Sequence, residues 1–193
     1  MIGANEREMY NIEALVEHAD PDTLFLDIGA HVGYFALRMS NYFKHVYAFE
    51  PDIFNYKGLL SNIVRNKLLK KVTAYNIAIS DIECSMDVES KGASSRMIAG
   101  DTIAVRNIDN MGMTENIGAI EIDTEGFEMN VLRGAEQTIM NHKPMLLIKT
   151  HQYSTGTKNQ IADIIRWLEN HSYNWKPLFI AENGDQHLIA TPK

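Results

Sequence analysis

Short apolar runs alternate along the chain with stretches of helical period. The runs "TLFLDI", "HVYAFE", "VTAYNIAI", "GAIEID" and "PMLLIKT" have the length and the β-branched or aromatic content of buried strands. Between them, Val32–Phe43, Ile53–Asn66, Phe127–Asn141 and Lys158–His171 read as amphipathic helices, and a leading helix is expected at Glu6–His18, within residues 1–20. In the third of these, Phe127, Val131, Ala135 and Ile139 recur at four-residue spacing and supply one apolar face. Such alternation predicts an α/β fold, a mostly parallel sheet covered by helices on both faces. After the last helix the pattern changes, because "WKPLFIAENGDQHLIAT" reads as two strands joined by a turn at Asn183-Gly184, an antiparallel hairpin. Residues Asp81–Asn116 are the least regular. There "CSMDVES" alternates like an added strand and "KGASSRMIAGD" reads as an exposed loop, so the segment is expected to be an insertion on the substrate side.

Composition narrows the reading to one domain over residues 1–193, since a chain of this length with 45% hydrophobic residues encloses one substantial core. No repeat, low-complexity tract or linker interrupts it, and the early start of the first strand leaves little expected surplus ahead of it. A net charge of -7 disfavours a nucleic-acid partner, which calls for a basic face. The one basic cluster, "KLLKK" at 67–71, fits a solvated helix end. With Cys84 alone there is no intrachain disulfide, nothing near Met1 resembles a secretory signal, and no apolar run approaches the roughly 20 residues of a membrane span. A cytoplasmic protein without a membrane partner is expected.

The chemistry concentrates in "LFLDIGAHVGYFAL", residues 24–37. Asp27 ends the first strand there, and Gly29 and Gly33 flank the turn into the next helix, expected near Val32. A turn of this kind lies at the carboxyl edge of the sheet, where open α/β folds bind ligands. Glu50 ends the second strand at the distance where a ribose-binding acid belongs. A dinucleotide is nevertheless disfavoured, because the three glycine positions of its fingerprint are filled here by Gly29, His31 and Tyr34, whose side chains take the room of a pyrophosphate. A ligand with an adenosine-type ribose and no phosphate fits better, and S-adenosylmethionine is one.

The segments "FLDIGAHVGYFAL", "VYAFEPD" followed by Asn62, "NIAISD", "GASS", "NIDN", "IEIDTEGFEMNVLRGAE" and "KPMLLIKTH" resemble the successive signatures of the FkbM family of S-adenosylmethionine-dependent methyltransferases. The resemblance runs from about Leu24 to His151, and "IDTEGFEMNVLRGAE" is its most specific part. It implies a Rossmann-like seven-stranded sheet with a reversed final strand, and methyl transfer to an oxygen, often a hydroxyl of a sugar, a glycan or a polyketide-type product. Two positions depart from the family pattern. Glu121 stands where lysine is common and Lys149 where glutamate is common, an exchange that keeps an ion pair between neighbouring strands with its ends swapped and is expected to leave the cofactor site untouched while altering any substrate contact at that spot.

On this resemblance Asp27 and the turn through Gly29, Ala30, His31, Gly33 and Tyr34 surround the methionine end, with the helix N-terminus lending positive potential to its carboxylate. Glu50 takes both ribose hydroxyls, since a carboxylate accepts through two oxygens. Pro51 and Asp52 follow it at the binding edge, although Asp52 and Asn62 suit the start and surface of the next helix equally well. Asn76, Ile77 and Ala78 face the adenine or belong to a plain core strand. Three strand-end groups are candidate bases for the hydroxyl proton: Asp123, which also borders the cofactor, Glu125 and His151. Glu125 could instead cap the turn before Phe127, and His151 could be a hydrogen-bonded rim residue. No resident metal is expected. A metal-assisted O-methyltransferase using Asp123, Glu125 and Asp109 stays open, as does a non-catalytic nucleoside-binding module. An RNA ribose methylase would want a lysine ahead of the first glycine motif to complete Asp123, Lys149 and Glu182, and none is there.

Overall fold

The computed structural model describes residues 4–91, 94–151 and 160–193. Its elements in chain order are α1 (Ala4–Glu17), β1 (Leu24–Ile28), α2 (Tyr34–Met39), β2 (His45–Phe49), α3 (Ile53–Arg65), β3 (Val72–Tyr75) and β4 (Ala78–Ile79). There follow β5 (Cys84–Lys91), β6 (Ser94–Ala99), β7 (Ile103–Arg106), a 3-10 turn at Ile108–Met111 and β8 (Ile117–Ile122). The chain ends through α4 (Glu128–Gly134), α5 (Glu136–His142), β9 (Met145–Thr150), α6 (Gln160–Asn170), β10 (Tyr173–Ile180) and β11 (Gln186–Pro192). Among the described residues no helix is long and apolar enough to cross a membrane.

The main sheet has seven strands in the order β10-β11-β9-β8-β1-β2-β3. The ladders among β9, β8, β1, β2 and β3 are parallel, while β11 runs antiparallel to both β9 and β10. Its central strands are buried on both faces, which is why they read as unbroken apolar runs. One face, carrying Leu24, Leu26, Ile28, Ile120 and Ile122, packs on α4, α5 and α6. The other, carrying Phe25, Val46, Ala119 and Leu147, packs on α1, α2 and α3.

Several elements differ from the sequence expectation, each for a local reason. Helix α2 begins at Tyr34 rather than near Val32, because Gly33 is held at φ 93 as its N-cap. "VTAYNIAI" is cut at Asn76, whose side-chain amide donates to the carbonyls of Glu50 and Pro51, so that β4 leaves the main sheet. It starts a second sheet of order β4-β7-β5-β6. The expected loop "KGASSRMIAGD" contains β6, which pairs with β5 and sets Met97 opposite Val88, although Gly92 and Ala93 of the "GASS" segment lie outside the described residues. The single helix expected at Phe127–Asn141 is two, broken at Ala135 (φ -122), where the backbone of Gly134 packs so tightly on the Ser80 carbonyl that a Cβ would overlap it. Lys158 and Asn159 of the last expected helix are outside the described residues, and the helix is seen from Gln160. The hairpin is found as expected, its turn closed by the Ala181 amide donating to Asp185.

Candidate active site

The carboxyl ends of β1, β2 and β8 open into a cavity of about 490 Å³. Gly29 makes the first turn possible: at φ 93 it brings its backbone against the Asp123 carbonyl, where any Cβ would clash. His31 (φ 50) and Glu125 (φ 52) are non-glycine residues in the same left-handed region, and both line the cavity. Backbone strain of this kind persists where the surrounding structure over-determines it, and it gathers at functional sites.

Glu50 is 5% exposed on the cavity wall. Its two oxygens accept from the amides of His31 and Asp52, both at 2.8 Å. These bonds fix the carboxylate and leave further lone pairs directed elsewhere. Burial raises its pKa to about 6 against those two amides. Ala30, Tyr34, Pro51, Ile77 and Ala78 also line the cavity.

Four expected contacts have other positions. Asp27 lies beneath the turn, 1% exposed, with one oxygen accepting from the Ala36 amide at 2.7 Å. It therefore caps the start of α2 instead of lining the cavity, and burial pushes its pKa up beside Glu121. Gly33 shapes the turn without facing the cavity. Asp52 accepts from Phe54 and Asn55 as the N-cap of α3. Asn76 braces the ends of the second and third strands as described above, and Asn62 pins the glycine turn by donating to the Val32 carbonyl at 2.8 Å.

Around β8 and β9 the charged groups form one network. Lys149 reaches Asp123 at 3.0 Å, Glu8 of α1 at 3.2 Å and Glu121 at 3.7 Å, so the exchanged pair of strand charges is present. Burial would raise the Asp123 pKa, but Lys149 and then His151 outweigh it and hold the carboxyl below the ordinary range. Glu121 is fully buried and burial drives its pKa well up, whereas Lys149 is raised by its three carboxylates despite its own burial. His151 does not line the cavity. Its Nδ1 is 3.0 Å from Glu128, and its Nε2 faces Asp123 at 3.5 Å and Glu125 at 3.7 Å. Burial works to lower its pKa, yet Glu128 and then Asp123 raise it to about 9.

Glu128 was not singled out in the sequence, although it closes the Asp-x-Glu-Gly-x-Glu motif. Fully buried, it accepts from the Gly126 amide at 2.9 Å and from Gln160 at 2.7 Å. Glu128 thus caps the turn ahead of α4, and Glu125 lies on the cavity wall. Asp123, Glu125 and His151 bring ligand atoms within 4.8 Å of one another. Asp109 is elsewhere, accepting from Gln137 and Thr138 at the start of α5, and Glu182 is exposed in the hairpin turn. The far wall of the cavity comes from the second sheet, whose Met86, Val88, Met97 and Val105 are apolar. Their strand period was visible in "CSMDVES" but not in the polar run before Met97.

A parallel sheet with one reversed strand near its edge, a strand-end cavity, and His31 and Tyr34 on its wall where a dinucleotide fingerprint has glycine define a Rossmann-like methyltransferase fold. Solved structures share the fold. An FkbM methyltransferase from Methylobacillus flagellatus superposes with a TM-score of 0.67 at 20% identity, covering 96% of this chain and 50% of that one, so this chain spans half its length. A Streptococcus mutans protein solved in complex with SAH gives 0.66 at 14% identity, with 98% of each chain covered. An rRNA methylase from Streptococcus thermophilus gives 0.64 at 13%, covering 100% of this chain and 98% of that one. A comparison with curated protein sequences finds no match. The methyltransferase FkbM domain model matches residues 27–174. The chain belongs to the FkbM methyltransferase family.

Proposed function

We propose that the chain transfers a methyl group from S-adenosylmethionine to a hydroxyl of a sugar or glycan. The observation carrying this reading is the pair of carboxylates, Asp123 and Glu125, on the cavity wall at the strand-end edge beside Gly29. When bound, the cofactor supplies a methyl group on a positively charged sulfur. The protein must align the acceptor oxygen behind that methyl and receive the hydroxyl proton. Alignment by the Gly29–Tyr34 turn and Glu50 supplies on the order of 7 kcal/mol or more of barrier reduction. Asp123, kept ionised by Lys149 and His151, takes the hydroxyl's hydrogen bond and then its proton, for about a hundredfold to ten-thousandfold more. His151 is already protonated at neutral pH and orients Asp123 and Glu125.

Residues Asp81–Asn116 choose among acceptors, and the apolar Met86, Val88 and Met97 suit the C–H face or methyl group of a deoxysugar. A net charge of -7 counts against an RNA acceptor. The test is mass spectrometry of products from S-adenosylmethionine and a panel of deoxysugar-bearing acceptors, with and without a chelator. The expected product gains one methyl on oxygen, and its formation survives chelation. Asp123→Asn lowers kcat by about a hundredfold or more. Wild-type kcat at saturating cofactor holds between pH 9 and pH 6, whereas a fall through about 9 would give the base role to His151. Absence of product with every acceptor would favour a nucleoside-binding module instead.

A further inference from the structure

We infer that Lys149 anchors the carboxylate of the cofactor's amino-acid end, with Glu8 of α1 beside it to receive the ammonium. The inference rests on Glu50 holding the ribose. Glu50, Pro51 and Ile77 follow β2 and β3 on one side of β1, while Asp123 follows β8 and Lys149 belongs to β9 on the other. A ligand held at its ribose by Glu50 and passing over Gly29 therefore runs its tail toward Lys149.

That tail ends in a carboxylate, which needs a cation or free N–H donors. The N-terminus of α2 is a poor source, since the Ala36 amide is occupied by Asp27 and the helix is only 6 residues long. Among the described residues lining the cavity, Lys149 is the single lysine or arginine. Its ammonium has three donors. Two are spent on Asp123 at 3.0 Å and Glu8 at 3.2 Å, while Glu121 at 3.7 Å is an ion-pair neighbour beyond hydrogen-bond reach. One donor remains for a ligand. The Phe35 ring, 4.5 Å from the ammonium and also on the cavity wall, limits its swing. Glu8 and Asp123 flank this cation on the same wall, so positive and negative groups stand side by side. An ammonium and a carboxylate on one carbon match that arrangement. An uncharged tail would gain nothing from it.

Calorimetry with three ligands separates the parts: S-adenosylhomocysteine, its decarboxylated analogue S-adenosyl-3-thiopropylamine, and 5′-methylthioadenosine, which lacks the whole amino-acid end. Wild type is expected to prefer S-adenosylhomocysteine over the decarboxylated analogue by about tenfold or more, as for a charge-assisted hydrogen bond. Lys149→Met abolishes that preference and leaves 5′-methylthioadenosine within about twofold of its wild-type affinity. Because Lys149→Met strands Glu121 without a partner, Lys149→Met/Glu121→Leu is measured beside it and is expected to behave the same way. Glu8→Gln narrows the advantage of the decarboxylated analogue over 5′-methylthioadenosine. Equal binding of the first two ligands by wild type, or a loss in Lys149→Met common to all three, would overturn the anchor. Failure of wild type to bind any of the three would instead remove the ribose assignment on which it rests.

Discussion

At the residue scale, Glu50 combines two demands that compete, a buried site and a negative charge. Its backbone partners at His31 and Asp52 hold both oxygens in place, yet burial still lifts its pKa to about 6. A ribose diol adds two donors to a carboxylate already desolvated, so binding favours the ionised form. Glu50→Ala is expected to weaken S-adenosylmethionine and S-adenosylhomocysteine alike, by roughly 1.5 to 3 kcal/mol, in a calorimetric titration at pH 8. Unchanged affinity would end the ribose assignment. The place of Glu50 on the cavity wall was legible because a strand end followed by proline lies at the binding edge of the sheet. Asp27 misled because an aspartate beside a glycine turn can face either side of the sheet, and only the register decides: with Phe25 it points beneath α2. Lys149 stood out as a departure from the family pattern, but its reach into the cavity depends on where Glu8 and Phe35 pack.

At the scale of elements, the strands of the main sheet were readable because burial on both faces leaves a continuous apolar signature. The second sheet was not. Its β6 carries apolar residues toward the cavity only at Met97, so most of the segment looks like a solvated loop until it is paired with β5. The break between α4 and α5 was hidden for the opposite reason, since the apolar period continues across Ala135 and only the contact of Gly134 with Ser80 interrupts it. Close approach governs the first turn as well. Gly29→Ala adds a methyl group that overlaps the Asp123 carbonyl at a backbone angle disfavoured for alanine. It is expected to cost about 2 kcal/mol or more of stability in urea denaturation, and to abolish binding of S-adenosylhomocysteine. A variant as stable as wild type would mean that the two strand ends separate readily.

At the scale of the whole molecule, the buried ionisable groups set a pH dependence. His151 is raised from 6.5 to about 9, so its contribution is complete below pH 6.5 and is lost as pH rises through 9. Glu50, raised from 4.5 to about 6, adds a loss of the same sign at lower pH. Asp123, lowered from 3.8, acts oppositely, and its contribution disappears only as pH falls below that value. Asp27 and Glu121, whose pKa values burial also raises, lose stability in the same direction, so the urea midpoint is expected to be higher at pH 6 than at pH 9, with His151→Gln removing part of the difference. Equal wild-type midpoints would contradict the environment assigned to His151.

The cavity is enclosed by two sheets that share no ladder among the described residues, and β3 is separated from β4 only by Asn76 and Ile77. The halves of this socket can therefore answer to different selective pressures. Changes at Met86, Val88 or Met97 leave every backbone bond of the main sheet intact, so on the proposed function that wall of the socket can be remodelled for another acceptor while the Gly29 turn and Glu50 keep their places.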